Sequence, residues 1–148
     1  MTEITILIAV LIAAAALGLF LQRRDGRARP TAAAATDSAR TELLATAGVG
    51  VTGPAVLHFS AEWCGPCAAV RRVVSGVTAE LATRPRPPRD IEVDIDAEPA
   101  LARELNVLSL PTTFVFDAEG RERFRISGVP KAGDLRSALA PLTADDQH

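Results

Sequence analysis

Two cysteines, Cys64 and Cys67, are the only thiols in this 148-residue chain, and they lie three positions apart in a Trp-Cys-Gly-Pro-Cys motif. The motif follows a short apolar run and precedes a segment with helical spacing, which places Cys64 at a helix N-terminus. Free backbone N–H groups and the positive end of the helix dipole stabilise a thiolate there. We therefore expect Cys64 to attack a disulfide, and Cys67, one turn along and more buried, to resolve the mixed disulfide.

A structural disulfide and a zinc site are the alternatives for this pair. A disulfide that closes so short a loop removes little entropy from the unfolded chain, so it contributes little stability. A zinc site needs about four ligands, and the chain adds only His58 and His148 to the two cysteines. Neither histidine stands at zinc-finger spacing from the motif. The pattern therefore favours redox chemistry.

The segments around the motif predict an α/β sandwich around a mixed sheet. A βαβ unit carries the cysteines, and an antiparallel hairpin and a terminal helix follow it. Valines at helical spacing after Cys67 indicate a helix that packs one face on the preceding strand. The predicted strands cover 55–59, 91–95, 112–117 and 121–127. The predicted helices cover 38–47, 67–81, 99–105 and 134–142.

The N-terminal segment predicts a single transmembrane helix. Ile4 to Leu21 is an uncharged apolar run of 18 residues, which is about 27 Å long as a helix and just spans the hydrocarbon of a bilayer. No Lys or Arg precedes this run, which argues against a secretory signal. Arginines follow it, and the positive-inside rule then predicts a cytoplasmic main domain. These arginines are Arg23, Arg24, Arg27 and Arg29.

The remaining composition does not suggest a nucleic-acid-binding protein or a protein that carries a cofactor. A formal net charge of −2 gives no reason to expect a nucleic-acid partner, and a hydrophobic content of 48% supports a core as well as the apolar N-terminal run. Nothing in the sequence suggests a bound nucleotide, flavin or metal. We therefore expect no cofactor, and electrons that come from another protein or from a small thiol.

From about residue 41 to residue 142 the chain resembles the thioredoxin family. Residues 61–67 are similar to its active-site segment, Pro111 falls where the family has a cis-proline facing the cysteines, and Gly120 and Gly128 match two of its glycines. The resemblance implies a thioredoxin-like three-layer α/β sandwich with a central mixed β-sheet, preceded by the transmembrane helix. The expected division is a helix over 4–21, a flexible linker over 22–40, the domain over 41–143 and a tail over 144–148.

The resemblance also implies roles for individual residues. Cys64 is the nucleophile, Cys67 the resolving thiol, and a cis Pro111 holds the backbone before it open to an extended substrate segment and keeps metal from the thiols. A shallow apolar groove for substrate is expected from Trp63, Gly65, Pro66, Leu110, Pro111 and Gly128. For Trp63 the alternative is core packing, and for Pro111 it is an ordinary trans turn.

The chain departs from the family at two charged positions. The family has a buried aspartate six residues before the nucleophile, where this chain has His58, and a lysine on the adjacent strand, where it has Glu92. We hypothesise that His58, oriented by Glu92, deprotonates Cys67, because a neutral imidazole near pH 7 suits general-base work. The alternative is a histidine hydrogen-bonded for packing alone.

Three functions are consistent with these residues. The first is a cytoplasmic, membrane-anchored reductase of protein disulfides, since Gly-Pro between the cysteines resembles the reducing branch of the family. The second is a reductase on the other side of the membrane that acts on exported proteins or in cytochrome maturation. The third is a tethered binding module in which turnover is incidental. Expected partners are disulfide-containing proteins, the electron donor and, through the N-terminal helix, membrane lipid.

Overall fold

A five-stranded mixed sheet forms the centre of the protein. The structure is a computed structural model that describes residues 2–24, 29–30 and 38–144. The strand order is β1-β5-β4-β2-β3. The strands are β1 (Arg29–Pro30), β2 (Ala55–Ser60), β3 (Arg89–Asp94), β4 (Thr112–Phe116) and β5 (Glu122–Ser127). The helices are α1 (Thr2–Arg24), α2 (Ser38–Thr46), α3 (Cys67–Glu80), α4 (Pro99–Glu104) and α5 (Ala132–Leu139), with a 3₁₀ turn over Ala140–Leu142.

The structure confirms the predicted mixed sheet, in which β2 lies between β3 and β4. Strand β2 pairs in parallel with β3 and antiparallel with β4, and β4 pairs antiparallel with β5. All six residues of β2 are buried. A strand covered on both faces is expected to read as a continuous apolar run, and β2 departs from that pattern only at His58 and Ser60.

Helices cover both faces of the sheet, which gives the predicted three layers. On one face α2 and α4 pack over a cluster that includes Leu57, Phe59, Phe114 and Phe116. On the other face α3 and α5 pack over a cluster that includes the valines of β2, β4 and α3. The predicted apolar face of α3 is confirmed. Its valines and the leucine that follows are buried or partly buried: Val70, Val73, Val74, Val77 and Leu81.

Two elements differ from the sequence prediction. The terminal helix begins at Ala132 and ends at Leu139, and the 3₁₀ turn replaces its predicted end because Pro141 has no N–H for a further helical bond. Strand β1 pairs with β5 inside the segment predicted to be a linker. Two residues are too few to show a periodic pattern, so the sequence does not signal this strand.

Helix α1 is the N-terminal helix, and it includes the apolar run over 4–21. Its side chains are described over residues 5–20, and all of these are exposed. Among the described residues, no helix meets the combined length and hydropathy needed to cross a membrane. The predicted transmembrane helix is therefore not shown. The side chains of the four arginines that set the predicted orientation, most of the linker and residues 145–148 of the tail lie outside the described residues.

Candidate active site

The two cysteines lie at an edge of the sheet where several strand ends meet. Strands β2 and β3 run in parallel and end together at Ser60 and Asp94. Phe59 of β2 pairs with Thr112, the first residue of β4, which in turn pairs with Ser127 at the end of β5. The turn after β2, the loop after β3, the loop before β4 and the loop after β5 therefore form one surface.

Cys64 and Cys67 form a disulfide, with the two Sγ atoms 2.06 Å apart. Cys67 is the first residue of α3 and is 3% exposed, whereas Cys64 precedes the helix and is partly exposed. The prediction that Cys67 is the more buried cysteine is confirmed. Of the two residues, Cys64 is therefore the more accessible to an approaching protein.

Trp63 lies on the surface and does not pack in the core. It is 70% exposed, and its indole N–H donates to Asp96 Oδ2 at 3.1 Å. The Asp96 N–H donates in turn to Asp94 Oδ1 at 2.8 Å, so the loop after β3 holds the ring at the rim of the site. Sequence reasoning missed Asp96, although its place just after the end of β3 puts it at the same edge as the cysteines.

The loop before β4 supplies a second part of the same edge. The Leu110–Pro111 peptide bond is cis, as the resemblance implied. Gly128 has a φ of 82° and donates its N–H to the Pro111 carbonyl at 2.9 Å, which joins the loop after β5 to Pro111. Leu108, in the same loop, is 86% exposed. The sequence analysis missed Leu108, because an isolated apolar residue in a loop carries no pattern.

The six predicted groove residues are only partly alike in exposure. Trp63, Gly65 and Pro66 are exposed, while Leu110 and Gly128 are partly buried and Pro111 is buried. The strand register places all of them at the cysteine edge. Whether they bind substrate stays a prediction.

His58 lies under this edge and is 1% exposed. Alternation along β2 places its side chain on the same face as Val56, which packs in the cluster beneath α3 and α5. Its Nε2 lies 3.1 Å from Asp90 Oδ1 of β3. Its Nδ1 is buried and has no hydrogen-bond partner among the described residues.

The expected orientation of His58 by Glu92 is wrong. The two residues are register partners in β2 and β3, but the Glu92 carboxylate binds the Arg71 guanidinium, with Nε–H donating to Oε2 at 2.8 Å and Nη2 donating to Oε1. A guanidinium offers two parallel N–H groups to one carboxylate, which a single imidazole N–H does not match.

The contact with Arg71 also sets the charge state of Glu92. Hydrogen bonds from Arg71 lower the pKa of Glu92 to about 2, with burial opposing the shift and Ser60 assisting it. Glu92 is therefore an ionised partner of an arginine on the surface of α3. No hydrogen bond joins Glu92 to His58 among the described residues, although the charge of His58 also lowers the pKa of Glu92 slightly.

Asp90 and Thr113 are the residues around His58 that sequence reasoning missed. Asp90 precedes Glu92 by two positions, so the alternation of a strand puts both carboxylates on the face of His58. Thr113 is the register partner of His58 in β4, and its hydroxyl is also buried without a hydrogen-bond partner among the described residues. The signal for Asp90 was this spacing, and only the register identifies Thr113.

Comparison with known proteins agrees with this geometry. The thioredoxin family model matches residues 42–141, which is more than half of the chain. A thioredoxin from Mycolicibacterium smegmatis is 38% identical over 107 residues, covering 72% of this chain and 89% of that protein. A bifunctional thioredoxin reductase/thioredoxin from Mycobacterium leprae is 38% identical over 85 residues, which cover 56% of this chain and 18% of that protein.

The solved structures give the same fold. A thioredoxin-2, described as a component of the malaria parasite protein secretion machinery, superposes with a TM-score of 0.56 at 24% identity, covering 64% of this chain and 88% of that one. At this identity the likeness concerns the fold alone. The family match covers residues 42–141 and therefore includes the segment that carries the cysteine pair. The chain therefore belongs to the thioredoxin family and is a thiol:disulfide oxidoreductase.

Proposed function

We propose that this protein reduces disulfides in other proteins through a mixed disulfide at Cys64. The observation that carries the proposal is the unequal burial of the two cysteines, since Cys64 is partly exposed and Cys67 is 3% exposed. Thiol–disulfide exchange needs access of the attacking sulfur to the substrate. Cys67, the buried cysteine, then attacks the mixed disulfide from within the same molecule.

The reaction proceeds in two exchanges from the reduced protein. The Cys64 thiolate attacks a substrate sulfur, forming the mixed disulfide and releasing the first substrate thiolate. The Cys67 thiol then loses its proton, and its thiolate attacks Cys64. The Cys64–Cys67 disulfide forms, the second substrate sulfur leaves with its electron pair, and water protonates it. One substrate disulfide is reduced and one protein dithiol is oxidised.

His58 is the proposed acceptor of the Cys67 proton. It is buried on the α3 face of β2, and one of its ring nitrogens has no partner among the described residues. Cys67 Sγ lies 3.8 Å from the carbonyl oxygen of Phe59, the residue next to His58. A neutral imidazole suits proton transfer near pH 7.

The substrate docking surface is the apolar pair of Trp63 and Leu108. Both side chains are more than two-thirds exposed, and both lie in loops of the cysteine edge. The occupant we propose is an extended substrate segment that carries an apolar residue next to its disulfide cysteine. Leu108→Ser is expected to raise KM several-fold, since a lost apolar contact costs on the order of 1–2 kcal/mol, with kcat unchanged.

A thioredoxin reductase is the proposed electron donor. The Mycobacterium leprae relative joins a thioredoxin reductase and a thioredoxin in one chain, which supports such a pairing for a similar domain. A small thiol is the other donor to test. NADPH-dependent turnover with an added thioredoxin reductase, compared with turnover with glutathione, separates the two donors.

The decisive experiment is insulin reduction in a dithiol buffer by the full chain, with Cys64→Ser as the test variant. We expect Cys64→Ser to lose turnover entirely, while Glu80→Gln, which removes only a surface ion pair between α3 and α5, keeps it. Turnover that survives the loss of Cys64, or no turnover by the intact chain, would favour a binding module. Cys67→Ser is expected to trap substrates at Cys64 and so to identify them.

We also propose that α1 anchors the domain to the inner face of a cell membrane. Support comes from the exposed, uncharged side chains of residues 5–20, since a wholly apolar helix surface is unfavourable in water. We expect the full chain in the membrane fraction, and Leu11→Arg with Ile12→Arg to move it out, because each arginine costs roughly 2.5–3.5 kcal/mol at a helix centre. A fractionation unchanged by both arginines would contradict the anchor.

The orientation of the domain needs its own test. The alternative is a reductase on the opposite side that acts on exported proteins or in cytochrome maturation. Reporters fused to the C-terminus, one active only in the cytoplasm and one only in the exported compartment, distinguish the two. Activity of the exported reporter alone would overturn the cytoplasmic placement.

A further inference from the structure

The contact between His58 and Asp90 has a consequence for which ring nitrogen carries the proton. A carboxylate accepts hydrogen bonds and does not donate them when ionised. Asp90 Oδ1 lies 3.1 Å from Nε2, so the neutral ring makes this bond only when the proton is on Nε2. The Nδ1 atom then bears the lone pair. That atom is also the buried one without a partner among the described residues.

The surroundings of Nδ1 suit a proton acceptor. The side chain of His58 is 1% exposed, whereas the Asp90 side chain at its other end is 31% exposed. The ring therefore joins a buried nitrogen to a carboxylate that water reaches. Cys67 Sγ lies 3.8 Å from the carbonyl oxygen of Phe59, the residue that follows His58 in β2.

We infer that Asp90, through the Nε2–H of His58, is the positioning residue of the resolving step. Asp90 fixes the ring with its Nδ1 lone pair in the interior, and the Cys67 thiol gives its proton to Nδ1. The Asp90 carboxylate stabilises the imidazolium so formed, and the Nδ1 proton returns to the Cys67 sulfur when the Cys64–Cys67 disulfide is next reduced, which restores the ring protonated at Nε2. The Cys67 thiolate attacks Cys64 of the mixed disulfide, and the substrate sulfur leaves with its electron pair. This inference rests on the proposed reductase function.

Among the described residues, Asp90 is the carboxylate in ion-pair contact with His58. From β3, Asp90 and Glu92 share the face of His58, and Glu92 is bound to Arg71 of α3 while its charge also acts on His58. The titratable residues of α3 are Cys67, Arg71, Arg72 and Glu80, and the last three are exposed. The register partner in β4 is the uncharged Thr113, and α5 turns its buried Leu135, Ala138 and Leu139 toward the sheet.

Nitrogen-15 NMR tests the contact without any turnover. The chain has two histidines, so a His148→Gln background leaves His58 as the only imidazole. We expect a neutral ring protonated at Nε2, with an Nε2–H signal that exchanges slowly with water. Asp90→Ala should lose the slow exchange, and Glu92→Gln should retain it. A ring protonated at Nδ1, or slow exchange that survives Asp90→Ala, would overturn the inference.

The rate of the resolving step tests the role. The Cys67 thiol is allowed to attack a preformed mixed disulfide between Cys64 and a chromogenic thiol, and release of that thiol is followed at pH 7. Asp90→Ala and Asp90→Asn are expected to slow release about tenfold or more, as when a histidine base loses its carboxylate. Asp90→Glu, which keeps a carboxylate, should recover part of the rate, and Glu92→Gln should keep all of it.

The outcomes separate this inference from the proposed function. Normal release by Asp90→Ala and Asp90→Asn would end the inference and leave the reductase proposal intact. Slowing by Glu92→Gln in place of the Asp90 variants would restore Glu92 as the partner and also end it. A chain that fails to reduce insulin would remove the proposed function, while the NMR arm would still report the contact.

Discussion

The two faces of the central sheet differ in what they bury. Beneath α2 and α4, strands β2 and β4 contribute Leu57, Phe59, Phe114 and Phe116, and the aromatic rings contact one another with centroids about 6 Å apart. Beneath α3 and α5, the same strands contribute valines together with His58 and Thr113, each with a buried polar atom that has no partner among the described residues. The face beneath α2 and α4 is stabilised by contacts between aromatic rings. The face beneath α3 and α5, which carries the cysteine side of the sheet, buries two polar atoms without partners among the described residues, and such burial lowers stability.

The largest effect is expected on the aromatic face, from Phe114→Ala. Phe114 is fully buried and contacts both Phe59 and Phe116. Its removal should lower the free energy of unfolding by about 3–5 kcal/mol, measured by urea denaturation. The resolving step of the folded protein should be unchanged. A slowed resolving step in the folded protein would break the division between the two faces.

The second effect is expected on the polar face, from His58→Gln. Removal of a positioned base slows proton transfer by about a hundredfold or more. The mixed disulfide between Cys64 and the substrate should therefore persist longer, while the initial attack by Cys64 stays unchanged. The measurement is the lifetime of this mixed disulfide between about pH 6 and pH 9. A lifetime equal to that of the unmodified protein across this range would assign His58 to packing.

The third effect is a gain in stability from Thr113→Val. The hydroxyl is buried without a partner among the described residues, and valine has nearly the same shape, so the free energy of unfolding should rise by up to about 1 kcal/mol. Thr112→Val is the matched control on the adjacent residue, because the Thr112 hydroxyl donates to the Ser109 carbonyl at 2.6 Å. That variant should lose about 1 kcal/mol. Equal effects of the two variants would show that the Thr113 hydroxyl is satisfied in solution.

The smallest effect is expected from Glu92→Gln at the exposed rim of the polar face. Because Arg71 lowers the pKa of Glu92 to about 2, this group stabilises the fold above its ordinary pKa of 4.5, and the contribution is lost as the pH falls toward 2. Glu92→Gln should therefore flatten the stability profile between pH 4.5 and pH 2. Arg71→Gln should do the same.

The acid profile has a second contributor, which serves as an internal reference. Burial alone would raise the pKa of Asp117, but hydrogen bonds from Arg121 and Arg123 outweigh it and lower the pKa. Some loss of stability in acid should therefore remain in Glu92→Gln. An acid profile identical to that of the unmodified chain would show that the Glu92–Arg71 pair contributes nothing in solution.

Most of the fold could be predicted from the sequence because its elements have strong local patterns. The apolar run of β2, the valine stripe of α3 and the turn before β5 each specify their own element, and the structure places them within a few residues of the predicted bounds. The end of α5 and the two-residue β1 were not predicted. Helix α5 ends early, at Leu139, because Pro141 lacks the N–H for a further helical bond. Strand β1 pairs with the distant β5 and is too short to show a local period.

The candidate active site could be predicted in part, because the cysteine motif is also a strong local pattern. The motif located Cys64 and Cys67, and His58 was found because it stands where the family has a buried aspartate. The partner of His58 was predicted wrongly, since Asp90 and Glu92 lie on the same face of β3 and spacing does not distinguish them. Arg71, which lies on a different element, made the difference by binding Glu92.

The sequence by itself determined the chemistry and the family, because two cysteines in one short motif restrict the reaction to thiol–disulfide exchange and the element order restricts the fold. The tertiary structure decided which sulfur is accessible and which carboxylate contacts His58. It also revealed that the Thr113 hydroxyl opposite that histidine has no hydrogen-bond partner in the part of the chain that the structure describes. These properties depend on strand register and on helix α3 packing across the sheet, and both bring together residues that are far apart in the chain.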